Sequence, residues 1–294
     1  MLDLVFDLET QDPDDVLTLC LVAGHPAVAL RAVTVTPGGP AQVALVRHVL
    51  HRLGRDDVPV GATDPGTGKD HVSAFHHRWL GVPPAAEPDA PAAALLAGTL
   101  ERHPDAVLLT GGPLHTLRRL LEEHPAARLT RWVAQGGFAG DNLVPPEHRL
   151  AKFDGLLRCP TFNFNGEPTA AHLALASPRI ARRELVSKNV THGIRYDREL
   201  HERLRPHKDG NAGLALLFDG MERYLRKRRQ GKLLHDPAAA CAAVDPAVFT
   251  WAEVEPVRDG LGWGAEPAPG SGTFITVAVD RERLFAVLTG EPRG

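Results

Sequence analysis

Short runs rich in β-branched and apolar residues punctuate the chain at 2–7 (LDLVFD), 29–36 (ALRAVTVT), 57–60, 105–110 (DAVLLT), 129–134, 183–187 and 273–280 (TFITVAVD). Each predicts a strand. Between them, apolar positions recur at three- and four-residue spacing over 14–24, 40–54, 91–103, 114–124, 168–177, 210–230, 236–244 and 281–289. That period predicts helices. Strands and helices alternating in this way predict an α/β fold: a doubly wound, mostly parallel sheet flanked by helices, Rossmann-like in its core. No internal repeat or break in composition divides the chain, so residues 1–294 read as a single domain. The Pro/Gly-rich stretches 61–91 and 136–160 are too long for simple connections, and loops of that length are more often functional than idle.

In open sheets of this kind, ligands bind beyond the carboxyl ends of the strands. Asp7 ends the first strand, Gly38-Gly39 follow the second, and Thr110-Gly111-Gly112 follow the run at 105–110. These positions converge on one rim.

Composition narrows the class. Of the 294 residues, 43% are hydrophobic and 23% charged, as in ordinary globular enzymes. A net charge of −3 provides no phosphate-neutralising face, so nucleic acid is not an expected partner. The basic run Arg226-Lys227-Arg228-Arg229 closes the helix predicted over 210–230, where cations complement the helix dipole. Three widely spaced cysteines, with no CxxC pair and no histidine at metal spacing, point to a reducing compartment. Cys20, within LTLCLVAG, is expected in the core. Acids stand where a signal peptide needs basic residues, and no apolar run approaches a membrane span. A cytoplasmic protein without membrane contact is the expectation.

The N-terminal VFDLETQDPDD holds five acids within nine residues: Asp7, Glu9, Asp12, Asp14 and Asp15. Asp7-x-Glu9 on a strand end is how a two-magnesium exonuclease begins, but that fold continues into a hairpin. Here Asp12-Pro13-Asp14 caps a helix instead. A haloacid-type phosphatase needs Asp at the second acid and Thr or Val two residues later; the chain has Glu9 and Gln11. Five crowded carboxylates repel one another unless a cation neutralises them, and a hard cation such as Ca²⁺ takes six to eight oxygens. Asp14 and Asp15 are also well placed as the acidic first turn of a helix. GTGKD (66–70) resembles a phosphate-binding loop, yet Thr63 and Asp70 occupy the positions that need Gly and Ser or Thr. It reads as a flexible loop.

Two further stretches matter. In LLHDPAAACAAVDP (233–246), Asp236 and Pro237 start a helix beside His235, a group that can titrate near neutral pH. In CPTFNFNGEPTAAHLAL (159–175), Asn163 and Asn165 precede a helix beginning near Glu167-Pro168, the usual place of turn and cap residues.

Taken in order, these stretches resemble the nucleoside hydrolase (inosine-uridine N-ribohydrolase) family over nearly the whole chain. FDLETQDPDDVLTL stands for the family's DxDPGxDDAxAL, VTVTPGG for TTVAGN, and TGGPLHTLRRL for its TGG-LTN segment. QGG (135–137) stands for an MGG turn, PTFNFNGEPTAAHLAL for AEFNxxxDPEAA, and LLHDPAAACAAVDP for LHDPLAVAxxxDP. The resemblance implies one Ca²⁺ held by Asp7, Glu9, Asp15, Asp236 and the backbone carbonyl of Thr110. It implies Glu9 as general base, His235 beside the leaving base, and Asp14, Phe162 and Asn163 at the ribose. The implied reaction releases a free base and a pentose from a nucleoside or related N-riboside, in a homodimer or homotetramer.

The chain also departs from the pattern. One extra residue lies between Asp7 and Asp14, so Glu9 and Asp12 both stand as candidates for the base and ligand position. Gly39 and Thr161 replace a ribose-binding Asn and Glu, and an insertion after QGG leaves Asn142 as the candidate for a further Asn. The sugar's 5′ side is thus rebuilt. A non-catalytic ligand-binding protein that keeps the fold and the metal site is the rival reading.

Overall fold

The computed structural model describes residues 1–64, 66–68 and 70–291. From the N-terminus come β1 (Leu2–Leu8), α1 (Pro13–Gly24), β2 (Val28–Val35), α2 (Pro40–Arg52), β3 (Val60–Ala62) and α3 (Ala74–Leu80). Then follow β4 (Ala90–Pro91), α4 (Ala92–Arg102), β5 (Val107–Thr110), α5 (His115–Glu123), β6 (Leu129–Gln135) and β7 (Cys159–Pro160). Next are α6 (Phe162–Gly166), α7 (Pro168–Ala176), β8 (Ile180–Val186), α8 (Lys188–Thr191), β9 (Arg195–Tyr196), α9 (Arg198–Leu204) and α10 (Ala212–Lys227). The chain ends with β10 (Lys232–Leu233), α11 (Asp236–Val244), β11 (Phe249–Asp259), β12 (Gly262–Pro267), β13 (Thr273–Val279) and α12 (Arg281–Thr289).

Among the described residues, eleven strands form one sheet in the order β4-β3-β2-β1-β5-β6-β8-β13-β11-β12-β7. From β4 through β13 every pairing is parallel; the β11, β12 and β7 pairings are antiparallel. The expected mostly parallel, helix-flanked sheet is therefore present. β1 shows why these runs form such strands. Leu4, Phe6 and Leu8 enter one hydrophobic core with α1, α10 and α11, while Val5 enters a second core with α4, α5 and α7. Successive side chains of a strand point to opposite faces, so a strand covered on both sides is apolar nearly throughout.

The chain winds outward from β1 through β2, β3 and β4, then returns to β1's other edge as β5 and winds away through β6 and β8. The order reverses between β1 and β5, where Asp7 pairs in register with Thr110. Such a switch point opens a crevice beyond the strand ends.

Several expectations move. The strand expected at 57–60 begins only at Val60, because Pro59 lacks the N–H a ladder needs. The stretches 61–91 and 136–160 are not bare loops: the first holds α3 and β4, the second two short 3₁₀ turns and all of β7. Asn163 and Asn165 lie inside α6 rather than ahead of the first helix, and Asp236 opens α11 with His235 in the cap position. Lys69 of GTGKD lies outside the described residues, and Gly66, Thr67 and Gly68 join no helix or strand. The long hairpin β11–β12 carried no sequence expectation. Pro256 interrupts its pattern, but lies beyond the stretch Phe249–Glu253 that β13 pairs, where one edge of the strand is free. Arg226 to Arg229 are exposed at the end of α10, as expected of a solvated helix terminus. Among the described residues no helix is long and apolar enough to cross a membrane.

Candidate active site

A cavity of about 560 Å³ opens at the β1/β5 switch point, lined on one side by Glu9, Asp12, Asp14, Asp15 and Asp236. That volume suits a small polar ligand. Gly111 and Asn163 also line it, with Lys188, His192 and His235 on the remaining wall.

The acids converge from three elements. Asp14 and Asp15 occupy the first turn of α1, which Asp15 secures by accepting a hydrogen bond from the Asp12 amide at 3.0 Å. Asp236 opens α11, and one carboxylate oxygen from each of Asp14, Asp15 and Asp236 lies within 4.8 Å of the others. Gly111 makes room: a Cβ there would stand 3.0 Å from the Asp236 carboxylate. Both Asp15 and Asp236 are held well above the usual carboxylate range, by burial first and then by neighbouring carboxylates. Three buried carboxyl groups this close call for a shared proton or a cation.

Asp7 sits beneath them. Its Oδ1 accepts from the hydroxyls of Thr34 (2.6 Å) and Thr116 (2.8 Å), while its Oδ2 is buried without a partner. Burial pushes Asp7 up to about 7, against the two hydroxyl hydrogen bonds. An orphaned carboxylate oxygen under a cluster of all-oxygen donors fits a hard cation. Thr110 is buried beside Asp7, with its hydroxyl accepting from the Trp132 indole at 3.0 Å.

The two competing acids of the N-terminal motif part company. Glu9 faces the cavity with no hydrogen-bond partner among the described residues, and its methylene carbons pack over Gly112. Burial, then the charges of Asp12, Asp14 and Asp7, push it up to about 7. Asp12 instead pairs with Lys232, Nζ to Oδ1 at 2.9 Å. Burial and Asp14 raise Asp12 to about 6 in spite of that lysine.

Lys232 also reaches Asp14 Oδ1 at 2.9 Å, while Asp14 Oδ2 accepts from the amides of His235 (2.9 Å) and Asp236 (3.3 Å). Burial opposes the charge on Asp14, but Lys232 and then His235 outweigh it and hold Asp14 below the usual range. Lys232 is raised in turn, because Asp14 and Asp12 outweigh its burial. The sequence reading missed this lysine; its signal is a cation placed three residues before the HDP segment that brings Asp236 to the same acids.

The opposite wall is cationic and aromatic. His235 Nδ1 meets the Thr191 hydroxyl at 3.0 Å, and its ring lies 4.8 Å from that of His192. Burial lowers His235 to about 4 and His192 to about 3, with neighbouring lysines adding to the effect. Both rings are therefore neutral at pH 7. Asn163 spends its amide N–H groups on the Gly111 carbonyl (3.0 Å) and on Gln135, at its backbone oxygen (3.0 Å) and Oε1 (2.8 Å). Its own oxygen is what remains to offer a ligand. Phe162 is exposed at the rim. Asn142 is not brought in: it lies outside the lining and donates to the Ala265 carbonyl at 2.8 Å. Gly39 is also outside the lining, its amide held by Gln42 Oε1 at 3.2 Å.

The sequence matches the profile of the inosine-uridine preferring nucleoside hydrolases over residues 4–286. An uncharacterised protein of Aquifex aeolicus is 30% identical over 99% of this chain and 100% of its own length. The pyrimidine-specific ribonucleoside hydrolase RihA of Citrobacter koseri is 27% identical, covering 86% of this chain and 82% of its own. The fold is shared with the inosine-uridine preferring nucleoside hydrolase of Bacillus anthracis, at a TM-score of 0.72 and 20% identity, over 98% of each chain. A profile match across nearly the whole length, on a chain with this sheet order, places the protein in the inosine-uridine preferring nucleoside hydrolase family, as a hydrolase acting on N-glycosyl compounds.

Proposed function

We propose that the protein is a Ca²⁺-dependent N-ribosyl hydrolase that converts a nucleoside or related N-riboside to a free base and a pentose. The observation that carries this reading is the convergence of Asp15, Asp236 and the orphaned Asp7 oxygen beside a cavity-facing, unpaired Glu9. The ribonucleosides that RihA and its relatives are named for supply the substrate class.

Asp7, Asp15 and Asp236, with Glu9 and the Thr110 carbonyl, are the groups that would hold the ion. Bound there, Ca²⁺ supplies positive charge that polarises sugar hydroxyls and acidifies a neighbouring water. Glu9 takes the proton from the attacking water. A carboxylate lifted towards neutrality is a better proton acceptor than an ordinary one, yet still ionises near pH 7. The water oxygen bonds to the sugar's anomeric carbon as the bond to the base nitrogen breaks, and that nitrogen leaves with the electron pair. Positive charge builds on the ring in this step, and the acid wall stabilises it. His235 meets the leaving base through its Nε2, since Nδ1 is held by Thr191. Phe162 and the Asn163 oxygen contact the sugar, and Asp14, held by Lys232 and two amides, fixes the wall and keeps only the rest of its Oδ1 for a ribose hydroxyl. The same reading carries a single-domain, cytoplasmic homodimer or homotetramer, which light scattering at micromolar concentration tests.

The direct test is a reducing-sugar assay on a nucleoside panel, run with calcium and after chelation. Sugar release that chelation abolishes and calcium restores is the expected result. Asp236→Asn should weaken calcium binding at least tenfold. Calcium bound with no sugar released from any nucleoside would overturn the reading.

A further inference from the structure

The cavity's acid wall has its own counter-ion in Lys232, yet two more lysines lie at the His192 side, Lys188 in the lining and Lys152 outside it in contact with His192. Lys188 opens α8 and lines the cavity, donating to the Pro160 carbonyl at 2.8 Å. Lys152 contacts Nδ1 of His192, itself a lining residue. Among the described residues neither lysine has a carboxylate partner. Their ammonium groups lie 4.8 Å and 5.9 Å from the centroid of one ring, Phe153.

That ring is a rigid support. Phe153 is buried and meets Phe138 edge-on at 5.2 Å and His192 at 5.3 Å. Cation–ring contacts stabilise each ammonium group, but holding two like charges over one ring costs free energy unless an anion joins them. Lys152 is already lowered by burial, then by Lys188 and Arg195. These lysines do not serve the acid wall: the neighbouring charges that bear on Glu9 and Asp15 are those of other carboxylates, and Asp7 answers to burial and two hydroxyls. The cavity therefore gathers carboxyl groups at the switch point, while the two ammonium groups without a carboxylate partner cluster at its His192 side.

We propose that the substrate carries an anionic group, a carboxylate or a phosphate, which the ammonium groups of Lys152 and Lys188 receive at the end of the cavity marked by His192. The proposal rests on the nucleoside-hydrolase reading of the same cavity and narrows its substrate class. Two sources share this chemistry: an acidic substituent on the base, and a phosphate on the sugar's 5′ oxygen.

The test compares kcat/KM for uridine, uridine 6-carboxylate and uridine 5′-monophosphate, and for inosine against its 5′-monophosphate, in calcium-loaded protein. One anionic substrate should exceed its neutral parent about ten- to a hundredfold, the weight of a charge-assisted hydrogen bond in a partly buried site. Which one exceeds identifies the source. Lys152→Gln with Lys188→Gln should shrink that ratio to within about threefold, mainly through KM, while Lys188→Arg keeps it. Neutral nucleosides cleaved as well as the charged ones, with a ratio the double variant leaves alone, overturn the proposal and leave nucleoside hydrolysis standing. If no compound is cleaved, the nucleoside-hydrolase reading has failed, and calorimetry with inorganic phosphate and with the free 6-carboxylated pyrimidine decides the anion site. Binding lost in the double variant, but kept in Lys188→Arg, supports it; absence of binding overturns it. A thermal melt shows that each variant is folded.

Discussion

The acid wall of the cavity stands on the ends of β1 and β5 and on the first turns of α1 and α11, whereas the cationic wall hangs on a 3₁₀ turn, the short α8 and the residues around them. Asp7, Asp14, Asp15 and Asp236 are all buried; Lys152 is exposed and Lys188 half-buried. The acids are fixed by backbone register and by hydroxyl and amide donors, so their geometry survives only if the sheet does. The lysines rest on one aromatic ring and one carbonyl, and can change without disturbing the sheet. Chemistry common to a family belongs on the first kind of support. Substrate choice belongs on the second, because loops tolerate change that strand ends do not.

The sharpest break of this comparison is Glu9→Gln. The variant keeps side-chain length and one oxygen but loses the proposed proton acceptor, and should lower kcat about 10²- to 10⁴-fold with KM little changed. Asp12→Asn is the matched control, because Asp12 is taken up by Lys232. Its kcat should fall less than about tenfold. If the order were reversed, the proton acceptor would be the residue on the inserted side of the loop, and the acid wall would be less tied to strand geometry than its burial indicates.

Legibility in the sequence follows the same division. The parallel strands showed themselves as apolar runs because both faces of the sheet are covered, and the acid wall showed itself because its members sit at fixed offsets from strand and helix starts. Asp7 falls at the strand-end rim expected of it, and Glu9, Asp15 and Asp236 gather beside it. What spacing could not decide was which of Glu9 and Asp12, both of which line the cavity, stays unpaired there, since one extra residue in a loop has no periodicity to violate. The answer depends on a partner 220 residues away, Lys232, and on His76, which braces the loop by meeting the Thr10 carbonyl at 3.0 Å. The cationic wall left no pattern at all: Lys152, Lys188 and His192 come from a 3₁₀ turn and from the two ends of α8, and meet around Phe153 with no shared period. Asn142 illustrates the opposite error, a plausible residue type in that stretch which serves the backbone of β12 instead.

Lys232→Met tests how far the acid wall depends on its internal cation. The change strands Asp14 in a buried site with only two amide donors, and removing one partner of a buried ion pair costs about 3 kcal/mol or more. Urea unfolding of the metal-free protein should show that loss. Adding Asp14→Asn should recover most of it, since the amide oxygen still accepts from His235 and Asp236 while no unpaired charge remains. An equal loss in the single and double variants would mean that Lys232 matters for its packed methylenes and not for its charge.

The smallest effect is a pH dependence of stability that calcium should erase. Asp7 and Glu9 are raised to about 7 in the folded chain, so the folded state holds protons there that the unfolded chain releases near pH 4. Stability from these two groups is complete below the unfolded pKa and is lost as pH rises through 7. His76 and His235, lowered to about 4, and His192, lowered to about 3, act in the opposite sense: their contribution is lost as pH falls from about 6.5 toward those values. Between about pH 4 and 6.5 the two groups of residues oppose each other. Above 6.5 the histidines are neutral in both states and the acids act alone. The metal-free protein should therefore lose on the order of 1–2 kcal/mol between pH 6.5 and 8, a few degrees in melting temperature. On the proposed function calcium would replace the protons as the counter-charge of the acid wall and compete best at high pH, so saturating calcium should flatten or invert the slope. Melting curves at four pH values, with chelator and with calcium, measure this directly. A slope that calcium does not alter would assign the titrating protons to groups outside the acid wall.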